Sequence, residues 1–377
     1  MDNFDDVRPY NDNEISAAMM RIAEDKYFSI LSEWLFPNRD IDEVRQQLRT
    51  TKTADDFQFN FMSAVNQNVI NKSINRLTYS GIEFLQKDQS YLFISNHRDI
   101  MLDSSLLQQI LHWNNLKTSL IAFGSNLMSS QLIIDIERSN KMFIVKRDGS
   151  MRDMYQNSMQ LSKFIRKSIL DDHESVWIAQ RNGRSKDGND QTDQGIIKMF
   201  CMSEPDVEKA LTDLHLVPIA VSYSIEPCDI LKTRELYISQ NEKYEKQNGE
   251  DLISIITGIE QQKGNTHFSI CKPITKEELD ALEKQPESKY HQLVARLIDQ
   301  RIYEHYKLMP NNFIAHDMLH NNSRFAHYYT LEERLLFEQM AESVVRTISG
   351  NTTTVRAIYL GIYANPVDNI LKVKEII

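Results

Sequence analysis

In the stretch YLFISNHRDIMLDSSLL (residues 91–107), one histidine is followed within six positions by two aspartates. His97 could serve as a base near neutral pH if a carboxylate held its other ring nitrogen and fixed one tautomer. Asp103 is the favoured partner, because it falls near the start of a following helix whose first turn can fold back over the strand end; Asp99 is the other carboxylate. A plainer reading makes these residues a helix start, with Asp103 as a cap. Cations gather in two further places. KMFIVKRDG (141–149) sets Lys146 and Arg147 together, and WIAQRNGRSKDGNDQTDQGIIKMF (177–200) sets Arg181, Arg184 and Lys186 in a loop with Gly183 and Gly188. Guanidinium forks match phosphate oxygens, and glycines let a backbone come close to a ligand. In a chain of net charge −10, five cations at two strand ends point to one bound dianion more than to scattered solvated charges.

These residues need strands that end beside them. Apolar runs of strand length recur at Tyr91–Ser95, Ser119–Gly124, Lys141–Lys146, Val176–Gln180, Leu216–Ser224 and His267–Ile274. Helical patterns lie between them, near 103–113, 128–138, 151–171, 195–213 and 247–260. The alternation predicts an α/β fold with a central mixed sheet flanked by helices, and the histidine at a strand's carboxyl end lies where such folds place their chemistry. Residues 12–75 read as helical, and so does the chain after residue 275. The expected organisation is a helical N-terminal segment (1–84), an α/β core (85–275) and a helical C-terminal region (276–377).

With 377 residues, 41% apolar and 16 Phe, 15 Tyr and 3 Trp, the chain can build a sizeable core and is not disordered as a whole. Its acidic balance, 53 Asp+Glu against 43 Lys+Arg, argues against a general nucleic-acid binder. Cys201, Cys228 and Cys271 have neither metal-site nor disulfide-framework spacing, which fits a reducing compartment. The acidic opening MDNFDDVRPYNDNE is unlike a signal peptide, and no run approaches the ~20 apolar residues of a spanning helix. The expected location is therefore cytoplasmic. No metal is expected: His316 and Asp317 are adjacent but make no site, and His291, His305, His320 and His327 have no partner at ligand spacing.

Taken in order, NHR…D, FIVKR, QRNGRSKDG and LVPIAVSYS resemble the motif blocks of the glycerol-3-phosphate and lysophospholipid acyltransferase superfamily, over about residues 85–275. That family has a His-x4-Asp block, a strand ending in Arg, a Gly/Arg block with a Glu, and a strand beginning Val-Pro. Here five residues separate His97 from Asp103, and Asn182 stands where the Glu would be. The resemblance implies transfer of an acyl group from a thioester (acyl-CoA or acyl-carrier protein as co-substrate, with no other cofactor) to a hydroxyl of glycerol 3-phosphate, lysophosphatidate or a related lipid. No covalent enzyme intermediate is implied. His97 would be the general base and Asp103 its orienting partner. Lys146, Arg147, Arg181, Asn182, Gly183, Arg184 and Lys186 would bind the acceptor's phosphate region. The implied setting is phospholipid synthesis at the inner face of a membrane, with the protein peripherally bound. A lipid-binding or scaffold protein that has lost turnover is the alternative; retention of His97 with a carboxylate beside it weighs against that. HRD also occurs in protein kinases, but the glycine-rich loop and Asp-Phe-Gly they need are absent.

Overall fold

The computed structural model describes residues 3–128, 130–146 and 149–376. Its strands are β1 (Ile74–Ser80), β2 (Leu92–Ser95), β3 (Leu120–Gly124), β4 (Met142–Val145), β5 (Val176–Ala179), β6 (Leu216–Tyr223) and β7 (Gly264–Ile270). They form one seven-stranded sheet in the order β1-β7-β6-β2-β5-β3-β4, flanked by helices. Pairing is parallel throughout except between β6 and β7, so the sheet is mixed. Every residue of β2 and β6 is buried, as expected of central strands covered on both faces.

Alternation along the strands divides the core in two. Leu92, Ile94, Val176 and Ile178 pack on one face with Phe164, Ile165, Phe200 and Ile298 from three helices. Phe93, Trp177, Val217 and Ile219 face the other way, against Leu106, Leu107 and Ile110 of the helix Leu102–Trp113. The N-terminal helices have their own cluster around Ile15, Met19, Val44 and Phe57. The C-terminal helices close around Ile314, Phe337, Tyr359 and Tyr363.

β1 departs from the sequence reading. The helix Ser63–Ser73 ends where expected, but Ile74 opens a strand that pairs with β7 at the sheet edge. INRLTYS is polar and largely exposed, so it lacks the apolar run that marks the interior strands. The helix expected over 195–213 is two helices, Gln194–Cys201 and Val207–Thr212. Pro205 lies between them, and Asp206 caps the second through the N–H groups of Glu208 and Lys209.

β2 is parallel to both of its neighbours, β5 and β6, so the loops after Ser95, Ala179 and Tyr223 leave the sheet at the same edge. That shared edge assembles the site.

Candidate active site

At the end of β2 the chain turns out of the sheet, and the His97 Nδ1 lies 2.9 Å from Asp103 Oδ2. The same oxygen accepts from the backbone N–H of Arg98 (2.6 Å) and of Asp99 (2.9 Å). The other oxygen, Oδ1, accepts from Tyr223 Oη–H at 2.8 Å, from the end of β6. Asp103 is fully buried, and His97 keeps 13% of its side chain exposed. With Nδ1 committed to the carboxylate, Nε2 is the ring atom left for a substrate proton. The imidazole stands edge-on to Trp177, centroids 5.8 Å apart, and the Trp177 indole N–H is fixed on Ser95 Oγ. Burial first, then the Asp103 charge, pushes the Tyr223 phenol well above its usual range, so it stays a donor.

Asp99 does different work. Its Oδ1 accepts from the N–H groups of Met101 and Leu102, so Asp99, not Asp103, caps the following helix. Its Oδ2 is buried without a hydrogen-bond partner and abuts Gly258, where a Cβ would come within 2.2 Å of it. Burial and the neighbouring Asp103 raise its pKa.

A backbone bond ties the cationic loop to the histidine: Ser185 N–H donates to His97 C=O at 2.7 Å. The adjacent Arg184 acts electrostatically on Asp99 and Cys228, and its Nη1 is buried with no hydrogen-bond acceptor. Arg181 and Gly183 are partly buried, and Asn182 is exposed at the loop's outer turn. Lys186 pairs with Glu235. Gly183 takes φ +76° in open space, whereas Gly188 spends its missing Cβ on close approach to Ile362 C=O of the C-terminal helix. Lys146 is exposed and pairs with Asp6. It follows β4, three strands from β2 and so about 14 Å away at ~4.8 Å per strand. Arg147 lies outside the described residues.

Beneath these residues is a charge cluster that the motif reading passed over. Arg98, 1% exposed, donates to Asp190 Oδ2 at 2.6 Å and to Glu226 Oε2 at 3.1 Å. Lys232 Nζ bonds Glu226 at 2.5 Å and Arg98 C=O at 2.7 Å. Burial opposes the charge on Arg98, but Asp190 and Glu226 outweigh it and hold the guanidinium protonated. Two cations and two anions thereby lace together the loops after β2, β5 and β6. Arg98 beside His97 was visible in the sequence; Glu226 and Lys232 belong to no motif, and only the fold brings them to it.

Residues 76–222 match the family model described as Acyltransferase, a span running from β1 to β6 that contains His97, Asp103 and the cationic loop. The match agrees with the acyltransferase resemblance of the motif blocks and overlaps their span. No curated protein sequence matches the chain. Among solved structures, the chain is similar to the 1-acyl-sn-glycerophosphate (LPA) acyltransferase PlsC from Thermotoga maritima, with 11% identity and a TM-score of 0.37 over 77% of this chain and 97% of that one.

Proposed function

We propose that this protein is an O-acyltransferase that moves a fatty acyl group from a thioester, acyl-CoA or acyl-carrier protein, to a hydroxyl of a glycerophosphate or lysophospholipid acceptor. The observation that carries the reading is the His97–Asp103 pair beside a loop whose Arg184 has a buried N–H without an acceptor. His97 Nε2 takes the proton of the acceptor hydroxyl as its oxygen attacks the thioester carbonyl. The tetrahedral intermediate collapses, the C–S bond breaks, and the imidazolium returns its proton to the leaving thiolate. Asp103 holds the tautomer and stabilises the imidazolium. Arg184 fixes the acceptor's phosphate, which turns a bimolecular encounter into a positioned one. Lys186 and Lys146, each already paired with a carboxylate, contribute less.

The product of this reaction belongs in a bilayer. No helix among the described residues is long and apolar enough to cross a membrane, so we assign contact to an apolar surface of the protein.

The test is thioester release by the purified protein, with and without glycerol 3-phosphate or a lysophospholipid. Acceptor-dependent release, abolished in His97→Ala, is expected. Arg184→Ala should raise the acceptor KM by about 10- to 100-fold, the loss of one charge-assisted hydrogen-bond group, and leave the donor KM nearly unchanged. Lipid binding without turnover in the wild type would favour the scaffold reading prompted by Asn182.

A further inference from the structure

The helix Pro310–Leu319 carries His316 in its last turn and is capped by His320, four residues on. That spacing puts both imidazoles on one helix face, with ring centroids 4.4 Å apart. The neighbouring helix Thr352–Ile376 supplies Asp368, whose Oδ1 lies 3.4 Å from His316 Nε2 and 3.9 Å from His320 Nε2. Both separations exceed the ~2.7–3.2 Å of a good hydrogen bond. They are close to the ~3.3–3.5 Å that separates donor atoms around a tetrahedral ion with bonds of about 2.0–2.2 Å. One donor atom from each of the three residues lies within 4.8 Å of the others.

The surroundings suit a ligand set. His316 is buried, so its ring is held in place by the surrounding side chains. Its Nδ1 has no hydrogen-bond partner, and Asp317 Oδ1 lies 3.7 Å away, where a small ring rotation would let it accept that N–H, as carboxylates behind metal-bound histidines do. His320 is half exposed and Asp368 is partly so, which leaves an open side for entry and for a water ligand.

We propose that His316, His320 and Asp368 form a binding site for a divalent cation of the zinc class, two imidazoles and one carboxylate stapling the two helices together. Imidazole nitrogens exclude magnesium and calcium as the natural occupants. The role is structural. The same helix pair is joined by Asn312 Nδ2 donating to Tyr363 C=O at 2.9 Å, and Tyr363 Oη–H in turn bonds Asp229 while accepting from the N–H of Glu226. Ile362 backs Gly188 of the cationic loop. An ion at this site would thus stiffen the support behind that loop without touching substrate.

The test titrates the full chain, freed of metal by a chelator, with ZnCl2, and with MgCl2 as comparison. One equivalent of Zn2+ should bind and raise Tm, while Mg2+ should do neither. His320→Ala alters an exposed side chain and Asp368→Asn keeps shape while removing charge, so both should match the wild-type Tm in chelator. Each should weaken Zn2+ binding by more than about 100-fold and lose the Tm rise. Co2+ should give visible absorption bands in the wild type that vanish in His320→Ala. Absence of Zn2+ binding to the wild type, unchanged binding in the two variants, or a thiolate-to-cobalt band from a cysteine would each overturn the assignment.

Discussion

Four donors converge on the Asp103 carboxylate: the His97 ring, the Arg98 and Asp99 N–H groups, and the Tyr223 hydroxyl. A side chain so fully engaged cannot rotate away from the imidazole. Asparagine at this position keeps one accepting oxygen but removes the negative charge that would stabilise the imidazolium, and its NH2 must face either the Tyr223 hydroxyl or the three N–H donors. Asp103→Asn should therefore lower kcat by about 10³- to 10⁴-fold, in line with other His–Asp pairs. Asp99 carries a charge only two residues from His97 but spends it on the start of the helix. Asp99→Asn keeps an accepting oxygen there and removes a like charge beside Asp103, so its kcat should change far less. Steady-state kinetics on both variants at matched Tm decide the matter, and the reverse order would make Asp99 the orienting carboxylate. The sequence favours Asp103 and keeps Asp99 as the other candidate; in the fold Asp103 meets the His97 ring while Asp99 accepts from the N–H groups at the helix start.

Among the elements, the strands that carry the site were legible because they are buried on both faces and read as apolar runs. β1 was not, since an edge strand with exposed side chains looks like any polar segment. Convergence of the cations was legible only in part. Arg184 and Lys186 share one loop, but Lys146 leaves the sheet three strands away and strand order is not written in local sequence. The Arg98–Asp190–Glu226–Lys232 cluster was illegible for the same reason. The helix Gln131–Ser139 shows how context divides similar residues. Asp135, buried, is met by Arg21, Tyr10 and Gln131, whereas Glu137, 8% exposed, leaves Oε2 without a partner. Burial pushes the Glu137 carboxyl up to about 9 from its ordinary 4.5. Between those values the folded chain holds a proton that the unfolded chain has released, so this group's contribution to stability is full below pH 4.5 and is lost as pH rises toward 9. Glu137→Gln keeps the neutral shape. Its stability relative to wild type should grow with pH by about 1 kcal/mol per unit between pH 5.5 and 8 in urea unfolding. Parallel pH profiles for the two proteins would show that Glu137 ionises normally in the fold.

For the molecule as a whole, the proposed function raises the question of how a chain of net charge −10 would reach a lipid acceptor. General electrostatic adsorption to an anionic bilayer is unfavourable, so under that proposal apolar contact would supply the affinity. The helix Glu250–Glu260 offers it: Leu252 and Ile253 are each 55% exposed, and Ile256 is exposed beside them. Gly258, on the opposite face of the same helix, rests on Asp99, which sets this helix beside the His97 loop with its apolar face turned outward. Trp34 N–H bonds Glu260 and brings alongside a second helix, Phe28–Leu35, with Ile30 exposed. Burying one such aliphatic side chain in the interface is worth about 1.5–3 kcal/mol, so two of them matter more than a few units of diffuse charge. The full chain should therefore sediment with neutral phosphatidylcholine vesicles, and moderate salt should weaken binding little. Leu252→Ser with Ile253→Ser should reduce the bound fraction at least tenfold and slow turnover on vesicle-borne lysophospholipid. Turnover of water-soluble glycerol 3-phosphate with a short-chain acyl thioester, if that acceptor is used, should stay near wild type. Equal sedimentation of the double variant and the wild type would move the contact surface elsewhere, and loss of sedimentation on raising the salt would make the contact electrostatic.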